Sequence, residues 1–192
     1  MHKKALLFIT LVALVVVMAG AALVVRNQFY GSAVHEESDL YVSSRCDYAA
    51  LRDTLARHIG HRWAFDRYAA RLGLGRSFKP GRYLLRPGMN VIEVARMLKL
   101  GEQTPVRITF NNVRTPAQLA GKLGRQFDAD SASFAQVLTS DSLARTLGFD
   151  SVTLFSMFIP NTYEFYWTAS PQEFVTRMKR EYDRFWACLL YT

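Results

Sequence analysis

Residues 5–25, ALLFITLVALVVVMAGAALVV, form an uncharged apolar run of 21 residues. Lys3 and Lys4 precede this run, and Arg26 follows it. A helix rises about 1.5 Å per residue, so a helix of this length spans about 30 Å, which is the hydrocarbon thickness of a bilayer. The run predicts a transmembrane helix, with residues 1–26 forming a short cytoplasmic stub and an anchor.

The charges beside this helix predict its orientation. Basic residues next to a membrane span are retained in the cytoplasm, so we expect a single crossing that places residues 27–192 on the far side. A cleaved signal peptide is the competing interpretation, because residues 19–22 (AGAA) are small. Signal peptides usually have apolar cores of only about 7–15 residues, so the length of the run favours a retained anchor.

The composition of residues 27–192 limits the partners of this part of the chain. It carries 21 basic and 16 acidic side chains, a net charge of +5. A positive balance suits an anionic surface or polymer, such as lipid headgroups or cell-wall material, although a solvated basic face explains it equally well. Nucleic acid is a poor fit, because the basic residues are scattered and the segment is predicted to be exported.

Metal and cofactor chemistry has little support in the sequence. The two cysteines, Cys46 and Cys188, are 142 residues apart, and no cysteine–histidine grouping has the spacing of a zinc site. A glycine-rich phosphate loop is absent from the sequence as well. We therefore expect neither a metal nor a cofactor.

Residues 39–86 predict a strand–helix–helix–strand unit. A strand at 39–43 precedes two helices in which apolar residues recur every three or four positions, and Asp47 caps the first of them. The strand GRYLL at 81–85 closes the unit, and a Pro-Gly turn follows it. The polar segment 27–38 is predicted to be a tether between the anchor and this unit.

A helix and a strand lead from this unit into a second domain. The helix is predicted between its cap, Asn90, and Gly101, and the alternating stretch PVRITF at 105–110 predicts a strand. We therefore place a domain boundary between residues 39–104 and residues 105–192.

Helices dominate the second predicted domain. Thr115-Pro116 is a cap followed by proline at the first helical position, and two shorter helical stretches follow within 132–147. A capping box at 170–173 (SPQE) opens the last helix. This helix reaches the end of the sequence without a cap, so we expect a truncated domain in which residues 188–192 are foreign to the native protein.

The aromatic stretch 155–167, FSMFIPNTYEFYW, contains the candidate site. A carboxylic acid among aromatic rings is costly to ionise because the rings exclude water, which suits a general acid, and Glu164 is the candidate. Rings beside an acid also suit sugars. The candidate substrate-binding residues are Asn161, Thr162, Tyr163, Tyr166 and Trp167.

We expect strand conformation on both sides of Pro160. Alternation along such a strand would place Thr162, Glu164 and Tyr166 on one face and the intervening aromatic residues on the other. The alternative to a catalytic role is that Glu164 is an exposed strand residue opposite a buried aromatic face.

Four segments, in order along the chain, resemble the endolytic murein transglycosylases of the YceG-like type (MltG). Residues 81–89 (GRYLLRPGM) match the family segment G-Y-x-L-x-P-G-M, and residues 98–103 (LKLGEQ) match its L-x-x-G-x-Q helix end. A strand at 106–110 and the helix start Arg114-Thr115 match the next segment. Residues 155–165 match the signature E-G-Y-x-F-P-x-T-Y-x-F.

The resemblance implies an α+β fold with three parts. These are an N-terminal transmembrane helix, a LysM-like βααβ unit over residues 39–104, and an α+β catalytic domain over residues 105–192 that is incomplete here. It also implies a single-pass protein of the bacterial inner (plasma) membrane with a periplasmic main domain. The implied partners are peptidoglycan glycan strands and the penicillin-binding synthases that make them.

The activity implied by the resemblance is lytic cleavage between N-acetylmuramic acid and N-acetylglucosamine in nascent strands. An acid protonates the glycosidic oxygen while an oxocarbenium-like centre develops. The muramyl 6-hydroxyl then closes on C1, which leaves a 1,6-anhydromuramyl end and terminates strand elongation. One carboxyl group suffices, because the nucleophile belongs to the substrate.

Two positions depart from the family pattern. The family's catalytic glutamate opens the signature, and the matching position here is Phe155, which cannot donate a proton. Either Glu164 supplies the acid, or the acid comes from elsewhere, or the chain is inactive. The family's E-G before the R-T helix is replaced by Asn111-Asn112. A membrane-anchored peptidoglycan-binding module without catalysis is therefore the alternative function.

Overall fold

The computed structural model describes residues 2–109, 113–150 and 153–190. Over these residues it is a mixed helix and strand structure, which confirms the predicted α+β class. It divides into two units, of which unit 1 comprises Met1–Leu40, Cys46–Lys79 and Tyr83–Glu102. Unit 2 comprises Tyr41–Arg45, Pro80–Arg82 and Gln103–Thr192. A LysM-like subdomain followed by a truncated catalytic domain stays a prediction.

Among the described residues, one or more helices separate each strand from the next along the chain. The helices are α1 (His2–Tyr30), α2 (Tyr48–Leu55), α3 (Arg62–Arg71), α4 (Val91–Leu100), α5 (Pro116–Leu123), α6 (Ser131–Leu138), α7 (Asp141–Thr146) and α8 (Pro171–Leu190). The strands are β1 (Ser38–Val42), β2 (Gly81–Leu85), β3 (Val106–Thr109) and β4 (Thr162–Phe165). Phe110, Asn111, Asn112, Tyr191 and Thr192, which enter the predictions above, lie outside the described residues.

Helix α1 contains the apolar run. Its segment Leu11–Tyr30 has a mean hydropathy of 1.9, and its apolar window is not buried in the protein. By length and composition this helix can cross a membrane. An apolar helix of membrane-spanning length is thereby confirmed, whereas its orientation and the membrane in which it resides stay predictions.

The connection between α1 and the rest of unit 1 is short. The helix continues to Tyr30, and Ala33 and Val34 are fully buried. The backbone N–H groups of Ala33 and Val34 donate to the carbonyl oxygen of Met89 at 2.8 and 3.1 Å. The first residues of the segment predicted as a tether, 27–38, therefore belong to α1. Ala33 and Val34 in the same segment are part of unit 1, because their side chains are buried and their backbone groups are hydrogen-bonded.

Unit 1 has the predicted strand–helix–helix–strand order. Strands β1 and β2 pair in a two-stranded sheet, and α2 and α3 lie between them in the chain. Asp47 caps α2 by accepting a hydrogen bond from the N–H of Ala50 at 2.8 Å. Asn90 and Glu93 form a capping box at the start of α4, and Gly101 ends that helix at a φ of 79°, which favours glycine.

Unit 2 contains a second antiparallel strand pair, β3–β4. Arg107 lies opposite Glu164, and Thr109 lies opposite Thr162. The predicted caps of the flanking helices are present. The Thr115 side chain accepts from the N–H of Gln118 at 3.2 Å, and Ser170 and Glu173 exchange capping hydrogen bonds at the start of α8.

The prediction of strand conformation on both sides of Pro160 is wrong for the upstream side. Residues Leu154–Met157 form a short 3₁₀ helix. Asp150 fixes the residue before this helix, because its carboxylate accepts hydrogen bonds from the backbone N–H and the hydroxyl of Thr153 at 2.6 and 2.7 Å. These local side-chain hydrogen bonds favour a turn, which competes with the β propensity of the aromatic residues.

An aromatic cluster holds β4 against α8. Phe174 on α8 is fully buried, and its ring centroid lies 5.0 Å from that of Phe165 on β4. The rings of Phe134 and Phe127 lie 5.8 and 5.9 Å from the Phe174 ring. Such ring pairs add stability beyond the area that they bury. The cluster therefore sets the position of the strand that carries Glu164.

We expect Phe174→Ala to lower the free energy of unfolding by about 3–5 kcal/mol, because it leaves a cavity among the rings. Phe185→Ala on the same helix removes a ring that is 43% exposed, so the expected loss is below about 1 kcal/mol. Urea unfolding of the full chain in detergent, followed by circular dichroism, measures both. Equal losses in the two variants would contradict the central position of Phe174.

Asp128 holds the segment Tyr41–Arg45 within unit 2. Its carboxylate accepts a hydrogen bond from the N–H of Ser44 at 2.9 Å. Partial burial alone would raise the pKa of Asp128, but hydrogen bonds from the Ser44 amide and from the Ser43 and Ser44 hydroxyls outweigh this effect. With Arg45 adding attraction, the pKa lies below its ordinary value of 3.8.

A carboxylate whose pKa is lower in the folded state adds stability that is fully present above the unfolded pKa. That contribution is lost as the pH falls through the folded pKa. We therefore expect Asp128→Asn to destabilise the protein at neutral pH, with the difference from wild type shrinking as the pH falls below 3.8. Urea titrations across this pH range test the prediction, and a difference independent of pH would refute it.

Candidate active site

Strand β4 presents its residues alternately to solvent and to the core of unit 2. Thr162 and Glu164 are exposed, whereas Tyr163 is half-buried and Phe165 is buried. This alternation is the predicted one. The expected enclosure of Glu164 by aromatic rings is wrong, because the rings of Tyr163 and Phe165 lie on the other face of the strand and the Glu164 side chain is 63% exposed.

Arg107 is the charged neighbour of Glu164. Their side chains project from directly opposite positions of β3 and β4, and Arg107 Nε lies 3.8 Å from Glu164 Oε1. Ion pairs between exposed side chains contribute only about 0.2–1 kcal/mol. Glu164 can therefore exchange this partner for a substrate at little cost.

Glu164 also lines a cleft of about 630 Å³ between the end of β4 and the first turns of α8. Clefts of about 300–1,000 Å³ are typical of small-ligand sites. The lining residues come from the β3 end, from β4 and its following turn, and from α8. They are Pro105, Glu164, Phe165, Tyr166, Thr168, Ala169, Glu173, Arg177 and Arg180.

The two carboxylates of the cleft differ in availability. Glu173 is occupied as a helix cap, because its Oε2 accepts hydrogen bonds from the N–H and the hydroxyl of Ser170 at 2.8 and 3.0 Å. Glu164 has an exposed ion pair as its contact. Glu164 is therefore the carboxylate of the cleft that is accessible to a bound molecule.

The two arginines that line the cleft differ in whether they already form an ion pair. Arg177 Nε donates to Glu181 at 2.6 Å, so its charge is partly matched. Arg180 is exposed and forms no ion pair within the part of the chain that the structure describes. An anionic group in the cleft would therefore meet Arg180 without displacing another carboxylate.

The structure brings together only part of the predicted site. Glu164 and the exposed ring of Tyr166 line the cleft. Asn161 and Thr162 are exposed outside the lining, where the Asn161 side chain accepts from the N–H of Thr162 at 2.7 Å. Thr162 also shares a hydrogen bond of 2.8 Å with Thr109 across the strands.

Tyr163 and Trp167 have structural contacts. The hydroxyl of Tyr163 donates to the carbonyl oxygen of Ile159 at 2.9 Å. Burial, and to a lesser extent the charge of Glu181, raises the pKa of Tyr163. The half-buried Trp167 ring packs edge-on against Tyr41 at 5.1 Å.

Arg107, Glu173, Arg177 and Arg180 were missed by the sequence-based prediction. Three of them recur on α8 at positions i, i+4 and i+7, which is one face of a helix, so their common face was readable from the sequence. Their position beside Glu164 was not, because the turn between β4 and α8 brings them together. The position of Arg107 beside Glu164 could not be predicted without the register between β3 and β4.

Phe155 occupies the position where the resemblance expects the family acid. Its half-buried ring lies 5.7 Å from that of Phe158, and both pack against the core of unit 2. This position is therefore apolar, and its side chain is a packing element.

Comparison with known proteins places this chain within one family. The model described as the YceG-like family matches residues 40–189. A solved structure of the yceG-like protein lmo1499 from Listeria monocytogenes is similar, with 16% identity over 77% of this chain and a TM-score of 0.38. The chain covers 55% of the length of that protein. No curated protein matches the chain significantly.

The register that sets Arg107 against Glu164 can be tested by cross-linking. In a chain with Cys46→Ser and Cys188→Ser, we expect Thr109→Cys with Thr162→Cys to form a disulfide on oxidation, because these residues are directly paired and their side-chain oxygens lie 2.8 Å apart. Mass spectrometry of digested protein detects the link.

The matched control combines Arg107→Cys with Thr162→Cys. Diagonal partners on paired strands have Cα atoms about 7–8 Å apart, which exceeds the usual reach of a disulfide. Cross-linking of the control pair in preference to the test pair would place another residue opposite Glu164.

Proposed function

This chain belongs to the YceG-like family, and on that premise we propose that it is a membrane-anchored lytic transglycosylase that cuts the glycan strands of peptidoglycan. The family is linked to murein transglycosylases of the MltG type. Helix α1 serves as the anchor in the bacterial inner membrane, with residues 27–192 outside the cytoplasm. The activity would release 1,6-anhydromuramyl ends and end the growth of nascent strands.

The observation that carries the proposal is the position of Glu164 at the cleft. The carboxyl group is exposed, and its ion pair with Arg107 is also exposed to solvent. The exposed ring of Tyr166 lines the same cleft. Sugar rings pack their C–H faces on aromatic rings, so Tyr166 can support a sugar beside the acid. The arginines of the cleft suit the carboxylates that peptide stems carry.

The proposed reaction needs one carboxyl group. Protonated Glu164 donates to the oxygen between the two sugars, and the bond from that oxygen to C1 of the muramyl residue breaks. The muramyl 6-hydroxyl oxygen bonds to C1, and its proton passes to the Glu164 carboxylate, so the acid is regenerated. Arg107 is the cationic side chain that pairs with this carboxylate in the structure.

A second candidate function is peptidoglycan binding without catalysis. The observation in its favour is Phe155, which puts an apolar ring where the family signature has its acid. The solvent exposure of Glu164 is also compatible with this alternative, because binding requires no proton transfer. Under this alternative the chain is a wall-binding anchor.

We expect Glu164→Gln to reduce the yield of 1,6-anhydromuramyl ends at least about a hundredfold, because an amide cannot act as the general acid. The full chain is reconstituted in vesicles and incubated with uncross-linked glycan strands, and mass spectrometry counts the anhydro ends. Sedimentation with peptidoglycan is measured in parallel.

Glu173→Gln is the matched variant, since glutamine can retain the helix cap. We expect it to keep most of the activity. Loss of activity in Glu173→Gln together with normal activity in Glu164→Gln would assign the acid to Glu173. Sedimentation of wild type with peptidoglycan, without anhydro ends, would support the binding module instead.

A further inference from the structure

Two aromatic rings meet where α1 leaves the predicted membrane span. Phe29 lies in the last turn of α1, and its ring centroid is 5.9 Å from that of Trp63 in α3, in an edge-on contact. Trp63 is 60% exposed, and the neighbouring Tyr30 is 68% exposed. Large aromatic side chains are therefore exposed to solvent at one end of unit 1, directly beside the helix that can cross a membrane.

The length of α1 sets the depth of this contact. If residues 5–25 fill the hydrocarbon, Phe29 lies about 6 Å farther along the helix axis than Val25. The headgroup layer on each side of a bilayer is about 5–7 Å thick. Phe29 and the ring that touches it therefore lie at the level of the headgroups, where tryptophan and tyrosine are enriched in membrane proteins.

The backbone keeps α3 at this level. Only Gly31 and Ser32 separate the end of α1 from the fully buried Ala33. The N–H of Gly31 donates to the carbonyl oxygen of Asn27 at 2.7 Å, and the N–H of Gly60, two residues before α3, donates to the carbonyl oxygen of Ala33 at 2.7 Å. A backbone hydrogen bond therefore joins the segment just before α3 to the segment just after α1.

The charges around the rings suit phosphate-bearing headgroups. Arg26, one turn before Tyr30 on α1, and Arg62, adjacent to Trp63, are both exposed. Arginine side chains at a membrane boundary lay their methylenes along apolar surface and direct the guanidinium to the headgroups. Aromatic and basic side chains thus occur together at this end of unit 1.

We infer that unit 1 binds the membrane surface directly, with Trp63 and Tyr30 inserted among the lipid headgroups. The occupant of this surface is the bilayer in which α1 is embedded, so the inference depends on the anchor included in the proposed function. It is independent of the cleft and of Glu164. Its consequence is that unit 1 lies on the bilayer instead of moving freely above it.

Tryptophan fluorescence can measure this depth. The full chain carries Trp167→Phe and Trp186→Phe, which leaves Trp63 as its tryptophan, and is reconstituted in vesicles of phosphatidylethanolamine and phosphatidylglycerol. One set of vesicles contains lipids brominated just below the headgroup, and another contains lipids brominated near the acyl-chain ends. A reference chain adds Trp63→Phe and Val15→Trp, which places its tryptophan at the centre of the apolar run.

We expect Trp63 to lose emission mainly to the shallow bromines, and its emission maximum to shift to shorter wavelength relative to the protein in urea. The Val15→Trp reference should lose emission mainly to the deep bromines. Quenching of the reference without quenching of Trp63 would overturn the surface contact and leave the anchor intact. Absence of quenching in both chains would overturn the anchor and the surface contact together.

Discussion

Burial of the Phe174 ring against Phe165 is the interaction on which the candidate site depends. Strand β4 has four residues and, within the described part of the chain, pairs with β3 alone. A two-stranded pair is marginal in water without a packed face. The aromatic cluster supplies that face. Since Phe165 is directed inward, the alternation of the strand directs Glu164 outward, so a packing interaction sets the direction of the acid.

The charges around Glu164 distinguish this site from an ordinary exposed strand. Arg107 lies opposite it on β3, and Arg177 and Arg180 of α8 line the same cleft. The other glutamate of the cleft, Glu173, caps α8. An acid beside arginines and an exposed ring is the arrangement on which the proposed function rests. Phe155, in contrast, is a half-buried ring that packs against the core of unit 2.

Much of the fold was predictable because its signals are local. Asp47, Asn90, Thr115 and Ser170 cap the helices that they were predicted to cap, since a side chain and a backbone N–H two or three residues away decide such a contact. The stretch before Pro160 was mispredicted. Its aromatic residues suit a strand, but the hydrogen bonds between Asp150 and Thr153 turn the chain into a 3₁₀ helix.

The sequence by itself determined the apolar helix, most of the order of the elements, the family, and Glu164 as a candidate, since each depends on composition or on short-range spacing. Only the tertiary structure decided that Glu164 is open to solvent, that Arg107 faces it, and that α8 contributes arginines to its cleft. The physical reason is that strand register and helix packing are set by contacts between residues far apart in the chain. Local patterns leave those distances unspecified.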